Sequence, residues 1–168
     1  MLASNSITIF VDADSCPNQT RTMIVKFAIR LNIKTFFVAN RQIPIFINQE
    51  IPKNLIKMVV TDNTPDAADD FIVKNSSQND VAITRDIPLA ERLLKNDITV
   101  INDRGTIFSS DNIREKLSIR NFNYELVKNG IQIEKQTNYN KKDLNNFANC
   151  LDKILQKKIQ ANLEKNSV

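Results

Sequence analysis

Ile7-Thr8-Ile9-Phe10-Val11-Asp12-Ala13-Asp14-Ser15-Cys16-Pro17 is the stretch whose reading decides the fold. Its opening residues are mostly β-branched or aromatic, types that suit a pleated, buried surface, so they are read as a strand. Pro17 suits the first turn of a helix, where its missing N–H is not needed, and Ser15 is a good cap ahead of it. Asp12 and Asp14 therefore fall at the carboxyl end of a first strand, the rim where open α/β sheets place their ligands. Acidic groups there need protons, cationic partners or a metal. That makes the rim a candidate active site.

Downstream of this stretch, Met23, Ile24, Phe27, Ala28 and Leu31 recur at helical spacing, predicting a helix to about Asn32. Lys34–Ala39 reads as a second strand. A Pro-containing connection, with a short extended piece at Ile45-Phe46-Ile47, leads to a third strand at Ile56–Val60. Pro65 opens a helix over Asp66–Val73, Asp80–Thr84 is a fourth strand, Pro88–Leu94 a helix and Ile98–Ile101 a fifth strand. Strands alternating with helices in this way are the signature of a parallel sheet covered on both faces.

Beyond Gly105 the pattern turns mostly helical. Asp111 is placed to cap a helix through Leu117, and Phe122–Lys128 forms another that stops near Gly130. A last helix starts at about Lys142, with Leu144, Phe147, Leu151, Ile154 and Leu155 on one side. With no repeat or internal boundary, residues 1–157 are expected to form one domain, and 158–168 a polar, frayed tail. The apolar stripe of the last helix suits packing on the chain's own sheet or on a second copy, which keeps a homodimer among the expected assemblies.

A chain of 168 residues can bury a core without disulfide or metal staples. No apolar run approaches the roughly 18 residues of a membrane span. The first residues carry no basic and apolar leader pattern. Cys16 and Cys150 are too few for a disulfide framework, so a cytoplasmic setting without a membrane partner is expected. The net charge of +4 permits nucleic-acid binding and fits general solubility equally well. Two absences narrow the chemistry further. With no His, imidazole bases, Ser-His-Asp or Cys-His catalysis and His-bearing zinc sites are excluded. With Gly105 and Gly130 as the only glycines, neither a P-loop nor a dinucleotide fingerprint can be written.

Carboxylates remain, and they gather at the predicted strand ends. Strand one ends at Asp12 and Asp14, strand three leads to Asp62 and Asp66, strand four to Asp86, and strand five to Asp103. Parallel strands bring these ends to one edge, where converging carboxylates repel unless a divalent cation neutralises them. An all-oxygen set suits Mg²⁺ or Mn²⁺. Asp66, Asp69 and Asp70, at i, i+3 and i+4, are expected to share a helix face. One or two such ions can activate water for phosphodiester cleavage. Each acid also has an ordinary explanation: Asp86 as a helix cap, Asp66 and Asp69 as partners of a helix macrodipole, Asp62 and Asp103 as loop residues. Cys16 and Arg21 look like a cysteine-phosphatase loop, but the spacing is one residue short and glycine is lacking. Cys16 is therefore read as a packed thiol, and Cys150 as core.

Phe10–Pro17 (FVDADSCP), Val38–Asn40 (VAN), Asp66–Val73 (DAADDFIV) and Ile83–Leu94 (ITRDIPLAERLL) resemble successive blocks of the bacterial YaiI/YqxD family. Asn102–Gly105, Arg120-Asn121-Phe122 and Phe147–Asp152 continue the resemblance over nearly the whole chain. It implies a PIN-like fold, a three-layer α/β/α sandwich with a mostly parallel sheet of about five strands, extra C-terminal helices, and acids at the strand ends. By position, Asp12 matches the first-strand acid, Asp66 or Asp69 the helix acid, and Asp86 the acid after strand four. Asp103 stands where the family often has Pro, and Asn121 where members often carry Asp.

The leading functional expectation is a Mg²⁺- or Mn²⁺-dependent nuclease acting on RNA or single-stranded nucleic acid. Asp12, Asp66, Asp69 and Asp86 would hold metal with Asp14 in support, and Thr84 would position a water. Arg21, Arg41, Arg85 and Arg104 are candidate phosphate contacts because the guanidinium fork suits phosphate oxygens. Asn40 joins them at the end of strand two. A haloacid-dehalogenase-type phosphatase shares the strand ending in Asp-x-Asp, but Ser-Cys-Pro follows Asp14 here and no Gly-Asp-x-x-x-Asp block is present. The third expectation is a PIN-like module that binds RNA or protein without cutting. The absence of Trp and the presence of only two Tyr leave it few stacking platforms.

Overall fold

The computed structural model describes residues 6–45, 50–135 and 137–167. Five strands, β1 (Thr8–Asp12), β2 (Lys34–Ala39), β3 (Ile56–Val60), β4 (Val81–Ile83) and β5 (Thr99–Ile101), form one sheet in the order β3-β2-β1-β4-β5. Every pairing is parallel, with Phe10 of β1 opposite Phe36 of β2 and Ala82 of β4. The chain lays β2 and β3 to one side of β1 and then returns to lay β4 and β5 on the other. The carboxyl ends of β1 and β4 thus flank the point where the winding reverses, the place where such sheets open a crevice.

Side chains alternate across the sheet with the period of two that a pleat imposes. Ile9, Val11, Phe37, Ile83 and Ile101 enter a core shared with Ile24 of α1 (Asn18–Leu31) and with Phe147 and Leu151 of α5 (Lys141–Asn166). Phe10, Val38, Ala82 and Val100 face the opposite core. There they meet Ile72 of α2 (Ala67–Asn75), Leu89 and Leu93 of α3 (Ile87–Lys95) and Ile113 of α4 (Ser110–Lys128). The expected α/β/α sandwich forms, with β2 and β3 spanning the expected residues. No helix among the described residues is long and apolar enough to cross a membrane.

Several local expectations are corrected. Ser15 does not cap α1. Ala13–Ser15 form a single 3-10 turn and Pro17 itself is the N-cap, while the Ser15 hydroxyl donates to the Asp12 carbonyl at 3.3 Å. Asp80 leaves the fourth strand because its carboxylate accepts from the Thr8 and Ser77 backbone N–H groups, each at 2.8 Å. The two helices expected over 111–128 are one, since nothing between them breaks a helix. It is capped not by Asp111 but by a box in which Ser109 Oγ accepts from Asn112 N and Asn112 Oδ1 accepts from Ser109 N. The tail expected to fray is helical through Asn166, because its Lys, Gln, Ala and Leu residues are good helix formers that extend α5. Of the extended piece expected at Ile45-Phe46-Ile47, residues 46 and 47 lie outside the described residues.

Gly105 is required where β5 hands over to the C-terminal helices. Its φ is +81°, and a Cβ there would lie 2.5 Å from the Asn146 carbonyl oxygen, so only glycine lets this loop sit against α5.

Candidate active site

The hydrophobic run of β1 carries Asp12 to the rim and leaves it only 9% exposed. A carboxylate so buried needs a donor. It finds one in Thr84, the residue after β4, whose hydroxyl donates to Asp12 Oδ2 at 2.7 Å and accepts the Asp86 N–H at 2.9 Å. Asp86 in turn caps α3, its Oδ1 accepting the Leu89 N–H at 2.9 Å. Capping and cleft lining are therefore both true of Asp86. Across the cleft, Asp66 takes the left-handed conformation (φ 61°) as the residue before α2, and Asp69 sits in that helix's first turn. Asp66, Asp69 and Asp70 do not share one helix face. Asp66 lies outside the helix, and Asp70 turns away to Arg92 at 2.7 Å.

These elements enclose a cleft of roughly 440 Å³ lined by Asp12, Asp14, Asp66, Asp69 and Asp86, with Asn40, Thr64, Ser15 and Arg85 completing the wall. Burial raises the Asp12 carboxyl above the usual carboxylate range; the Thr84 and Ser15 hydroxyls pull it back, and Asp86 and Asp14 push it further up. Asp69 is pushed up to about 6, first by burial, then by the charges of Asp86, Asp12 and Asp66, against a small opposing pull from Arg92. Asp12, Asp69 and Asp86 thus share one field. Among the described residues, however, no three acids or thiols are drawn together into a preformed metal cage. Asp14 is held by Arg41 at 3.0 Å, and one oxygen each of Asp12 and Asp86 is engaged by Thr84 and Leu89.

The candidate phosphate contacts are mostly committed elsewhere. Asn40 and Arg85 line the cleft, but Arg85 grips the buried Asp103 with two hydrogen bonds, Nε to Oδ1 at 2.8 Å and a second to Oδ2. Arg21 donates to the Cys16 carbonyl, and Arg104 pairs with Asp143 at 3.0 Å and reaches the Thr137 carbonyl at 2.6 Å. Asp62 is exposed and holds Thr64 by side chain and backbone, which lowers its pKa. The Cys16 thiol is buried and pushed well up by that burial and by the Asp103 charge, so it is no nucleophile.

A family model described as uncharacterized BCR, YaiI/YqxD family, matches residues 10–157. The chain belongs to the YaiI/YqxD family. It is 49% identical over 152 residues to a UPF0178 protein of Treponema denticola, covering 90% of this chain and 94% of that protein. A UPF0178 protein of Treponema pallidum is 40% identical over 147 residues, 88% of this chain and 80% of that one. One from Pseudomonas aeruginosa is 33% identical over 147 residues, 88% of this chain and 89% of that one. No solved structure matches. The YaiI/YqxD match takes in every acid of the cleft, so the cleft lies within the shared body of the family.

Sequence reasoning missed two groups that hold this site together. Ser15 accepts the Arg85 N–H at 3.2 Å and so ties the turn after β1 to the end of β4. Tyr139 straps the C-terminal part to the rim, accepting from Thr20 and donating to the Asp103 carbonyl, both at 2.8 Å. Neither carries a sequence signal, because all three bonds join residues far apart in the chain.

Proposed function

We propose that this chain is a PIN-like hydrolase of phosphodiester bonds in RNA or single-stranded nucleic acid, using Mg²⁺ or Mn²⁺ held by the cleft carboxylates. The observation that supports it is the electrostatic load at the reversal point of the sheet, where burial and mutual repulsion raise both Asp12 and Asp69. Such a load is relieved by protons or by a hard cation, and a set made only of carboxylate oxygens fits Mg²⁺ or Mn²⁺. Asp12, Asp69 and Asp86 would hold it, with Asp66 and Asp14 at the margin. The carboxylates are not drawn together among the described residues, so holding an ion requires them to close on it. When bound, such an ion supplies positive charge to a scissile phosphate and lowers the pKa of water. The chain's own residues fix Asp12 through Thr84 and shelter it from bulk water.

Calorimetric titration of Mn²⁺ and cleavage of a labelled single-stranded RNA test this with Asp12→Asn beside the wild type. The wild type is expected to bind Mn²⁺ and cut, and the variant to lose both. Undiminished cleavage by Asp12→Asn, in a clean preparation, sinks the proposal. One observation favours a non-catalytic binding module instead: the absence of a preformed cage among the described residues. RNA retention by a wild type that shows no Mn²⁺ heat would select that reading.

A further inference from the structure

A second, larger groove lies at the opposite end of the sheet, between the amino ends of β4 and β5 and the second half of α5. It measures roughly 1000 Å³, and Lys153, Lys157, Lys158 and Lys165 line it without a single acidic side chain. Ile107 and Ile154 add apolar surface to its wall. The lysines lie on one side of α5 because their spacing of i, i+4, i+5 and i+12 keeps them within half the helix circumference.

We propose that this groove binds the sugar–phosphate backbone of single-stranded nucleic acid, as an anchor for substrate flanking the acidic cleft; it rests on the function proposed above. Phosphate contacts confer affinity without reading sequence, and that is what lysines along a groove provide. The cleft cannot supply this attraction itself, because its acids repel phosphate and the nearby arginines are spent on Asp14, Asp103, Asp143 and the Cys16 carbonyl. By contrast, Lys153, Lys157 and Lys165 are exposed and form no ion pair among the described residues. Lys158 is half-buried, donates to the Gln78 carbonyl at 3.3 Å, and has its ammonium disfavoured by burial and by the Lys165 charge, against the pull of Asp80. A bound phosphate would relieve that cost. Asp80 does not compete for the lysines as a free acid, since three donors from Thr8 and Ser77 hold its carboxylate.

The geometry also predicts a length dependence. α5 runs from the Gly105 loop at the carboxyl edge, where Asn146 meets it, to the Gln78 contact of Lys158. At the rise of an α-helix those twelve residues cover about 18 Å, more than a dinucleotide spans. Long strands should use the groove, and dinucleotides should not.

The test is fluorescence anisotropy of a labelled 20-nucleotide single-stranded RNA, in EDTA, across a salt series. Wild type, Asp12→Asn, Lys157→Glu/Lys165→Glu and the milder Lys157→Gln/Lys165→Gln are compared. Double charge reversal should weaken binding at least tenfold, and the Gln pair less. The log–log salt slope should fall by about 1.4 for two lost contacts to a single strand. Asp12→Asn should bind at least as tightly as the wild type, since it removes an acid that repels phosphate. Mn²⁺-dependent cleavage of a dinucleotide should be unchanged by the lysine variants. An unaltered RNA affinity and slope in Lys157→Glu/Lys165→Glu overturns the groove, as does tighter binding to polyglutamate or to phosphatidylserine vesicles than to the RNA. A wild type that binds RNA through the lysines but cuts nothing refutes the cleft's activity and upholds the groove.

Discussion

Asp69→Asn should stabilise the metal-free protein at neutral pH. Asp69 sits in the first turn of α2 with its carboxyl pushed up to about 6 from an ordinary value of 3.8, chiefly by burial and then by Asp86, Asp12 and Asp66. The folded-state pKa lies above the unfolded one. Below about pH 4 the carboxyl is protonated in both states and costs nothing; as pH rises through 6 the folded chain must hold an anion that the unfolded chain holds freely, and stability is lost. A rise from 3.8 to about 6 corresponds to about 3 kcal/mol. Solvent screening of a half-buried group cuts that to ~1.5 kcal/mol. Losing the favourable meeting of a carboxylate with a helix N-terminus takes back roughly 0.5 kcal/mol.

The variant should therefore gain about 1 kcal/mol at pH 8, or roughly 2–4 °C in Tm for a domain of this size. Circular-dichroism melts at pH 4, 6 and 8 in EDTA read this directly, with the advantage shrinking towards zero at pH 4. A variant that melts at or below the wild type at pH 8, or whose advantage is the same at pH 4, refutes the electrostatic account of the cleft. Under the proposed function, saturating Mn²⁺ should reverse the order at pH 8, because a bound ion stabilises only the chain that can hold it.

Thr84→Val removes the donor to Asp12 and the acceptor of the Asp86 N–H; it should cost about 1–3 kcal/mol in urea unfolding and lower any Mn²⁺-dependent cleavage at least tenfold, whereas Thr84→Ser should retain both. Arg85→Ala strands the Asp103 carboxylate, which is 2% exposed, and should cost about 3 kcal/mol; adding Asp103→Asn should recover part of the loss, and a neutral Arg85→Ala would show that this pair carries no stability. Gly105→Ala forces a Cβ to within 2.5 Å of the Asn146 carbonyl oxygen at φ +81°, so it should cost at least ~2 kcal/mol, and an unchanged urea midpoint would contradict that close approach.

The parts of the fold legible in the sequence are those whose signal is local. β1 could be read because a nearly continuous β-branched and aromatic run reports burial on both faces, β2 because Phe36–Ala39 does the same, and β3 because its Val-rich stretch favours a strand although Lys57 interrupts it at the sheet edge. Asp12 stood out because a carboxylate at the end of such a run has few other uses. What escaped reading depends partly on contacts distant in sequence and partly on local backbone geometry that residue type does not fix. Ser15 has the composition of a cap, but a 3-10 turn commits its hydroxyl to Asp12 and Arg85 instead. Asp66 looks like a first-turn helix acid, yet its left-handed backbone places it before the helix, which separates it from Asp69 and Asp70. The arginines near the rim read as phosphate ligands because their charge is visible in the sequence and their partners Asp14, Asp103 and Asp143 are not. The lysines of α5 did not stand out for the converse reason: Lys158 and Lys165 fall in the stretch expected to fray, and Lys153 and Lys157 on a helix whose apolar side alone carries a signal. Only the fold brings the Ser77–Asn79 loop against them to make a groove.

The distribution of charge has its own logic. The rim gathers five carboxylates, and the fold relieves part of their repulsion with a hydroxyl for Asp12, a backbone N–H for Asp86 and a guanidinium for Asp14, while Asp69 bears the remainder as a raised pKa. These contacts make the free protein tolerable, and the Arg41 guanidinium spent on Asp14 is one that could have met a phosphate. Arg41 cannot neutralise Asp14 and hold substrate with the same N–H groups at once. A chain of +4 net charge then has its available cations elsewhere, and α5 supplies them at the far end of the sheet. Separating the two also protects the chemistry, because lysines beside the cleft would pair with Asp12 and Asp69 and compete with any divalent ion for them. Moving a cation into the cleft, as in Asn40→Lys, should therefore lower the Asp69 pKa and weaken Mn²⁺ binding together. Tighter Mn²⁺ binding by that variant would show that the cleft carboxylates do not act as one electrostatic unit.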